Sequence, residues 1–169
     1  MKSILGGALN VAALGLMLHA TALAESPLEV VKAFQKDCAA KDETAALKRI
    51  EGAGESAGGM EGDYFRQKAR RLVEITGQPE RKTEAVAEKA EGDFAVVVLI
   101  IGGPGAGRVI EPLYLRKAGE GWRIIPFSNW RKLPLAETGR KPLEALEKWY
   151  EAEEQKRTEA VDSEKVEGG

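Results

Sequence analysis

The chain has 169 residues, enough for one domain with a real core and too few for two comfortable ones. Hydrophobic residues at 43% and charged residues at 31% are ordinary globular proportions, which argues against wholesale disorder and against a membrane protein. The balance of 25 basic against 27 acidic residues leaves a formal charge of −2, without the basic excess that phosphate-backbone contact exploits, so nucleic acid is not an expected partner.

Lys2, an apolar run from Ile4 to Leu18 and small residues ending in Ala22-Leu23-Ala24 follow the order of a secretory leader. The run is shorter than the ~20 residues a spanning helix needs. Cleavage after Ala24 is therefore expected, with a mature chain starting at Glu25, a periplasmic or secreted location and no stable membrane anchor. His19, the only histidine, leaves with the leader. No imidazole then remains for acid–base work, nucleophile activation or metal ligation, and neither metal nor cofactor is expected. Cys38, the only cysteine, cannot form an internal disulfide. Its helical spacing with Val31 and Phe34 makes it a small buried hydrophobe, pairing between two chains being the other reading.

Ser26-Pro27-Leu28-Glu29 predicts a helix start, with serine at the N-cap, proline at the first helical position and glutamate three residues after the cap. Val30, Val31, Phe34 and Cys38 then share one apolar face. Asp42 caps a short second helix carrying Ala46, Leu47 and Ile50, which Gly52 ends. Glycines at 52, 54, 58, 59 and 62 predict a mobile loop. Asp63 is then the cap of a third helix with Phe65, Ala69, Leu72, Val73 and Thr76 on its core side and Gly77 as its stop. Arg66, Lys68, Arg70 and Arg71 occupy the other side and read as a solvated face, contact with an anionic ligand being the alternative.

Beyond Pro79 the pattern turns extended, with strands over residues 82–89, 94–101, 109–115 and 122–127. The first also has good helix propensity. The turn residues Glu91-Gly92-Asp93 before the strong apolar run favour a hairpin, and an antiparallel meander results. Pro112 must lie at an edge or a bulge, because it has no N–H for the ladder. A final helix over residues 142–154 carries the stripe Leu143, Leu146, Trp149 and Tyr150, after which charge dominates and fraying is expected. The chain thus divides into a leader (1–24), an α+β domain (25–134), a C-terminal helix (135–158) and a disordered acidic tail (159–169).

In the stretch from Ala95 to Ile101 neither alternating set of side chains is polar, so both faces of this strand need a cover. Three helices on one side supply one cover. A second copy of the chain, giving a homodimer through the sheet face, is the expected second cover, and the final helix is the alternative.

Chemistry-bearing motifs are scarce. The glycine-rich segment from Gly102 to Gly107 lacks the Gly-Lys-Ser/Thr that opens a helix in a phosphate loop, and Arg108-Val109 leads into a strand instead. No pair of carboxylates has a spacing that implies shared acid–base work, and no catalytic residue is assigned. Tyr64, Tyr114, Trp122 and Trp130 are the candidates to line a pocket for a small apolar ligand, with plain core packing the competing role and the favoured one for Trp122.

The order of three helices followed by a four-stranded meander resembles the nuclear transport factor 2-like superfamily of cystatin-like α+β cones. The stretch from Ser26 to Phe34 is similar to the first helix, and the stretch from Gly119 to Ile125 to the last hairpin, of small exported members that include lumazine-binding-like domains. The resemblance implies three helices packed on a curved four-stranded antiparallel sheet, here with an added C-terminal helix. It also implies a cone pocket, which isomerases, dehydratases and polyketide cyclases of the superfamily use for catalysis with an aspartate, histidine or tyrosine deep inside. Other members are non-catalytic binding or assembly domains, and fold does not choose between them. The expected function is an exported, non-catalytic small-ligand-binding or protein-assembly domain. The alternative is an isomerase, dehydratase or cyclase using the cone pocket, which would need an acid such as Asp63 or Glu111 in a cavity.

Overall fold

Ser26 sets the start of the first helix, α1 (Pro27–Ala39), through a complete capping box: its hydroxyl accepts from the Glu29 amide at 3.3 Å, and its own amide donates to the Glu29 carboxylate at 2.7 Å. The structure, a computed structural model, describes residues 25–53, 59–103, 106–119, 121–127, 130–133 and 137–167. The leader lies outside them. Helix α1 buries Val30, Val31, Phe34 and Cys38, as the spacing requires. Cys38 is a free buried thiol, which burial and then the neighbouring Asp37 push up to about 12.

The second helix, α2 (Glu43–Lys48), is capped by Asp42, which accepts from the Ala45 amide at 3.0 Å. Its exit is pinned to the sheet. Ile124 donates to the Arg49 carbonyl and Glu51 donates to the Ile124 carbonyl, both at 2.8 Å, so Ile50 forms a parallel bridge with Ile124.

The third helix, α3, spans Gly59–Thr76 and so begins four residues ahead of Asp63, inside the glycine-rich segment that the sequence assigns to a loop. Each glycine weakens a helix by about 1 kcal/mol, and the face of α3 that carries Ala69, Leu72 and Val73 packs on the core. Residues 54–58 of the expected loop lie outside the described residues. At the other end, a Cβ on Gly77 would stand 3.1 Å from the Cys38 carbonyl oxygen, so glycine is what lets the end of α3 abut α1.

Four antiparallel strands follow in the order β1-β2-β3-β4: β1 (Lys82–Glu91), β2 (Phe94–Gly103), β3 (Ala106–Ala118) and β4 (Gly121–Ile124). Strand β1, ambiguous by propensity, is fixed by its hairpin with β2, whose turn holds Gly92 at φ 59°. Pro112 pairs with Val98 on β2 and lies beyond the last β3–β4 pair, Leu115 with Ile124. The missing N–H therefore falls where β3 has become an edge.

Two hydrophobic layers enclose the sheet. Ala95, Val97, Leu99 and Ile101 of β2 face α1 to α3, while Phe94, Val96 and Val98 join a second cluster with Leu143, Leu146 and Tyr150 of the last helix, α4 (Glu137–Glu167). The chain's own C-terminal helix thus takes the face for which a second copy of the chain was the expected cover. The Tyr150 hydroxyl locks the helix to the sheet by donating to the Ile110 carbonyl at 2.9 Å. Helix α4 starts one turn before Pro142 and continues to Glu167, through the segment where loss of the apolar stripe predicts fraying and a disordered tail. Pairs along the helix hold part of this extension, among them Arg157 with Glu153 at 3.1 Å and Gln155 with Glu159 at 2.8 Å. Among the described residues no helix is long and apolar enough to cross a membrane, and no cluster of three or more His, Cys, Asp or Glu side chains could hold a metal ion.

Candidate functional site

Lys68, Arg71, Leu72, Ile75 and Thr76 recur along α3 at spacings of three and four, and this face forms one wall of a cavity of about 190 Å³ against the sheet. Leu99 and Ile101 of β2 and Leu113 of β3 make the opposite wall, and the stretch from Ile125 to Phe127 closes the side. Arg81, Thr83 and Glu111 bring polar chemistry to it. The arrangement follows from the meander: the ends of β1 and β2 near Lys82 and Gly102 pair together, and β3 brings Glu111 opposite Leu99.

The charges are unequal. Glu111 faces Arg81 at 3.7 Å with 47% of its side chain exposed, and Arg71 holds Glu74 at 2.9 Å outside the cavity. Lys68 lies 5.3 Å from the centre of the Tyr64 ring, and that ring stacks on Phe127 at 5.7 Å. Three cations and one carboxylate therefore surround an apolar interior. The Thr83 hydroxyl oxygen is buried without a hydrogen-bond partner, a state that weakens the fold by about 1–3 kcal/mol.

The four aromatic candidates from the sequence do not come together. Tyr64 is 45% exposed on α3 and backs the cavity from outside, through Phe127 and Lys68. Tyr114 is buried in the cluster under α4, and burial pushes its hydroxyl up to about 12. Trp122 is buried among the residues facing α1 to α3, with Lys117 over its ring at 5.4 Å. Trp130, in a short 3₁₀ turn (Trp130–Lys132), is buried in the α4 cluster with its ring nitrogen unpartnered and Arg131 over its face at 4.8 Å. Among the described residues that line the cavity, none is one of these four.

For the basic side of α3 the sequence reading is a solvated face, with contact to an anionic ligand as the alternative. Arg70 and Arg71 keep 72% and 60% of their side chains exposed, and the face borders two concavities, Lys68 and Arg71 at the cavity and Arg66 and Arg70 at a cleft beside α2. The signal was present in the alternation of basic residues with Leu72 and Ile75, which are themselves only partly exposed. Of the two acids singled out for catalysis, Glu111 reaches the cavity, whereas Asp63 is an exposed side chain paired with Arg66 at the start of α3.

No protein-family model and no curated protein matches the chain. Solved structures similar to it include two NTF2-like chains. One, from Campylobacter jejuni and provisionally assigned as an NTF2-like transpeptidase, has a TM-score of 0.45 at 16% identity and covers 60% of this chain and 98% of its own. The other, an NTF2-like protein of unknown function from Cytophaga hutchinsonii, has a TM-score of 0.39 at 12% identity and covers 62% of this chain and 90% of its own. Neither is described as lumazine-binding.

Proposed function

We propose that the chain is a non-catalytic binding domain whose cavity between α3 and the sheet takes a small apolar molecule bearing a carboxylate. The observation that carries this reading is the lining itself: aliphatic side chains from helix and sheet inside, and Lys68, Arg71 and Arg81 around them. A volume of about 190 Å³ is below the ~300 Å³ at which pockets for drug-sized ligands begin, so the ligand is small. The cations favour an anion. Binding is favoured over turnover because the acid at the cavity, Glu111, is half exposed and engaged by Arg81.

Titration calorimetry with hexanoate tests this, with hexanol as the uncharged control. Hexanoate is expected to bind about tenfold or more tightly than hexanol, and Arg81→Gln to abolish most of the difference, as the loss of a charge-assisted contact requires. Thr83→Val is expected to leave the melting temperature unchanged or raised, because a buried hydroxyl without a partner costs stability. Equal affinities for hexanoate and hexanol would contradict the reading.

A further inference from the structure

Arg66 and Arg70, one helical turn apart on α3, stand with Lys48 at the end of α2 and Arg123 on β4 around a second cleft of about 610 Å³. Its floor is apolar, formed by Leu47, Ile50 and Ala53. The backbone bonds that tie Ile50 to Ile124 hold α2 and β4 in register at its base. This cleft is separate from the cavity under α3 and shares none of the described lining residues with it.

Charge is what singles the cleft out. Four cations line it, and among the described lining residues there is no carboxylate. Glu43 reaches Arg70 at 3.8 Å with both side chains well exposed, a pair that water and salt screen easily. Among the described residues no carboxylate lies within ion-pair distance of Lys48 or Arg123. Arg123 donates to the Trp122 carbonyl at 3.0 Å. It also stands directly across from Arg116 in the β3–β4 ladder, a pairing of like charges in which, among the described residues, only Arg116 has a carboxylate partner, Glu51 at 3.0 Å.

Like charges gathered over an apolar floor match an anion that carries an apolar substituent. Three of the four cations are arginines, whose planar forks fit tetrahedral phosphate oxygens in pairs, and a dianion meets a cluster of cations better than a single carboxylate does. We propose that the cleft between α2, α3 and β4 is a second binding site, for a phosphomonoester whose organic group rests on Leu47, Ile50 and Ala53. The phosphate sits among Lys48, Arg70 and Arg123, and displaces the exposed Glu43 contact.

Calorimetric titration with phenyl phosphate is the test. Saturable binding is expected, tighter than that of inorganic phosphate, and weaker when salt is raised from about 50 to about 200 mM. Lys48→Gln and Arg123→Gln are each expected to weaken it about tenfold or more with melting unchanged, because neither side chain belongs to a hydrophobic cluster. Lys141→Gln, which removes the same charge from the exposed surface of α4, is expected to leave it unchanged. Vesicles of phosphatidylcholine containing phosphatidic acid separate two sources of the same chemistry. Pelleting that both cleft variants abolish supports a lipid phosphate, and phenyl phosphate binding without pelleting supports a soluble one. Absence of saturable binding overturns the proposal, and so does equal affinity in the Lys48→Gln, Arg123→Gln and Lys141→Gln proteins. Arg81→Gln keeps this result apart from the cavity under α3, since it should weaken hexanoate binding and not phenyl phosphate binding.

Discussion

Glu51 shows why an ion pair in a structure is not by itself a stabilising feature. Arg116 reaches one carboxylate oxygen at 3.0 Å, and the other is buried with no donor. Desolvation therefore holds the carboxyl above its ordinary range although Arg116 pulls it down. An acid raised in the folded state adds stability that is complete below its unfolded value and disappears as pH rises through the folded one. Glu51→Gln is thus expected to leave the melting temperature unchanged or raised at pH 7, with no gain near pH 4. A fall of several degrees at pH 7 would show that the pair with Arg116 outweighs desolvation. Trp122 belongs to the same scale: buried among the residues facing the first three helices, its replacement by alanine should destabilise by about 3–5 kcal/mol. Unchanged melting with lost ligand binding would return it to a pocket. The four aromatic candidates were visible in the sequence, yet the direction of each side chain was not. A strand residue faces one layer or the other according to register, and composition does not fix register.

At the scale of elements, local chemistry was the most legible. The capping box at Ser26, the Asp42 cap and the Gly92 turn each act over three or four residues, and the structure uses all of them. The first turn of α3 was not legible, because glycine propensity points to a loop. Nor was the reach of α4, whose later turns rest on pairs such as Arg157 with Glu153 instead of an apolar stripe. The need to cover both faces of β2 could be read from Ala95 to Ile101, whereas the choice of α4 over a second copy depended on where the chain returns after β4. Leaving Val96 and Val98 in water would forgo roughly 1.5–3 kcal/mol each. A chain ending at Pro134 is therefore expected to aggregate, and Leu146→Ala in the full chain to lose about 2–5 kcal/mol. Light scattering and thermal melting check both, and a shortened chain that remains a soluble monomer with unchanged melting would remove α4 from this role.

For the whole molecule, the α+β architecture of three helices, a four-stranded antiparallel sheet and a C-terminal helix followed from hydrophobic period and turn residues, and the structure has it. The candidate site was less accessible because it is assembled across distance: Arg81 lies just before β1 and Thr83 on it, Glu111 and Leu113 come from β3, and Lys68 and Leu72 from α3. Its one local trace was the basic side of α3, which a single sequence cannot tell from a solvated surface. The cavity between α3 and the sheet is the proposed seat of a small carboxylate. Nuclear magnetic resonance titration with hexanoate tests this most directly. Saturating shifts are expected at Leu72, Ile75, Leu99, Ile101 and Leu113, all with one affinity, and Arg81→Gln should weaken them together. Shifts that fail to saturate, or that gather at Leu47 and Arg123 instead, would contradict it.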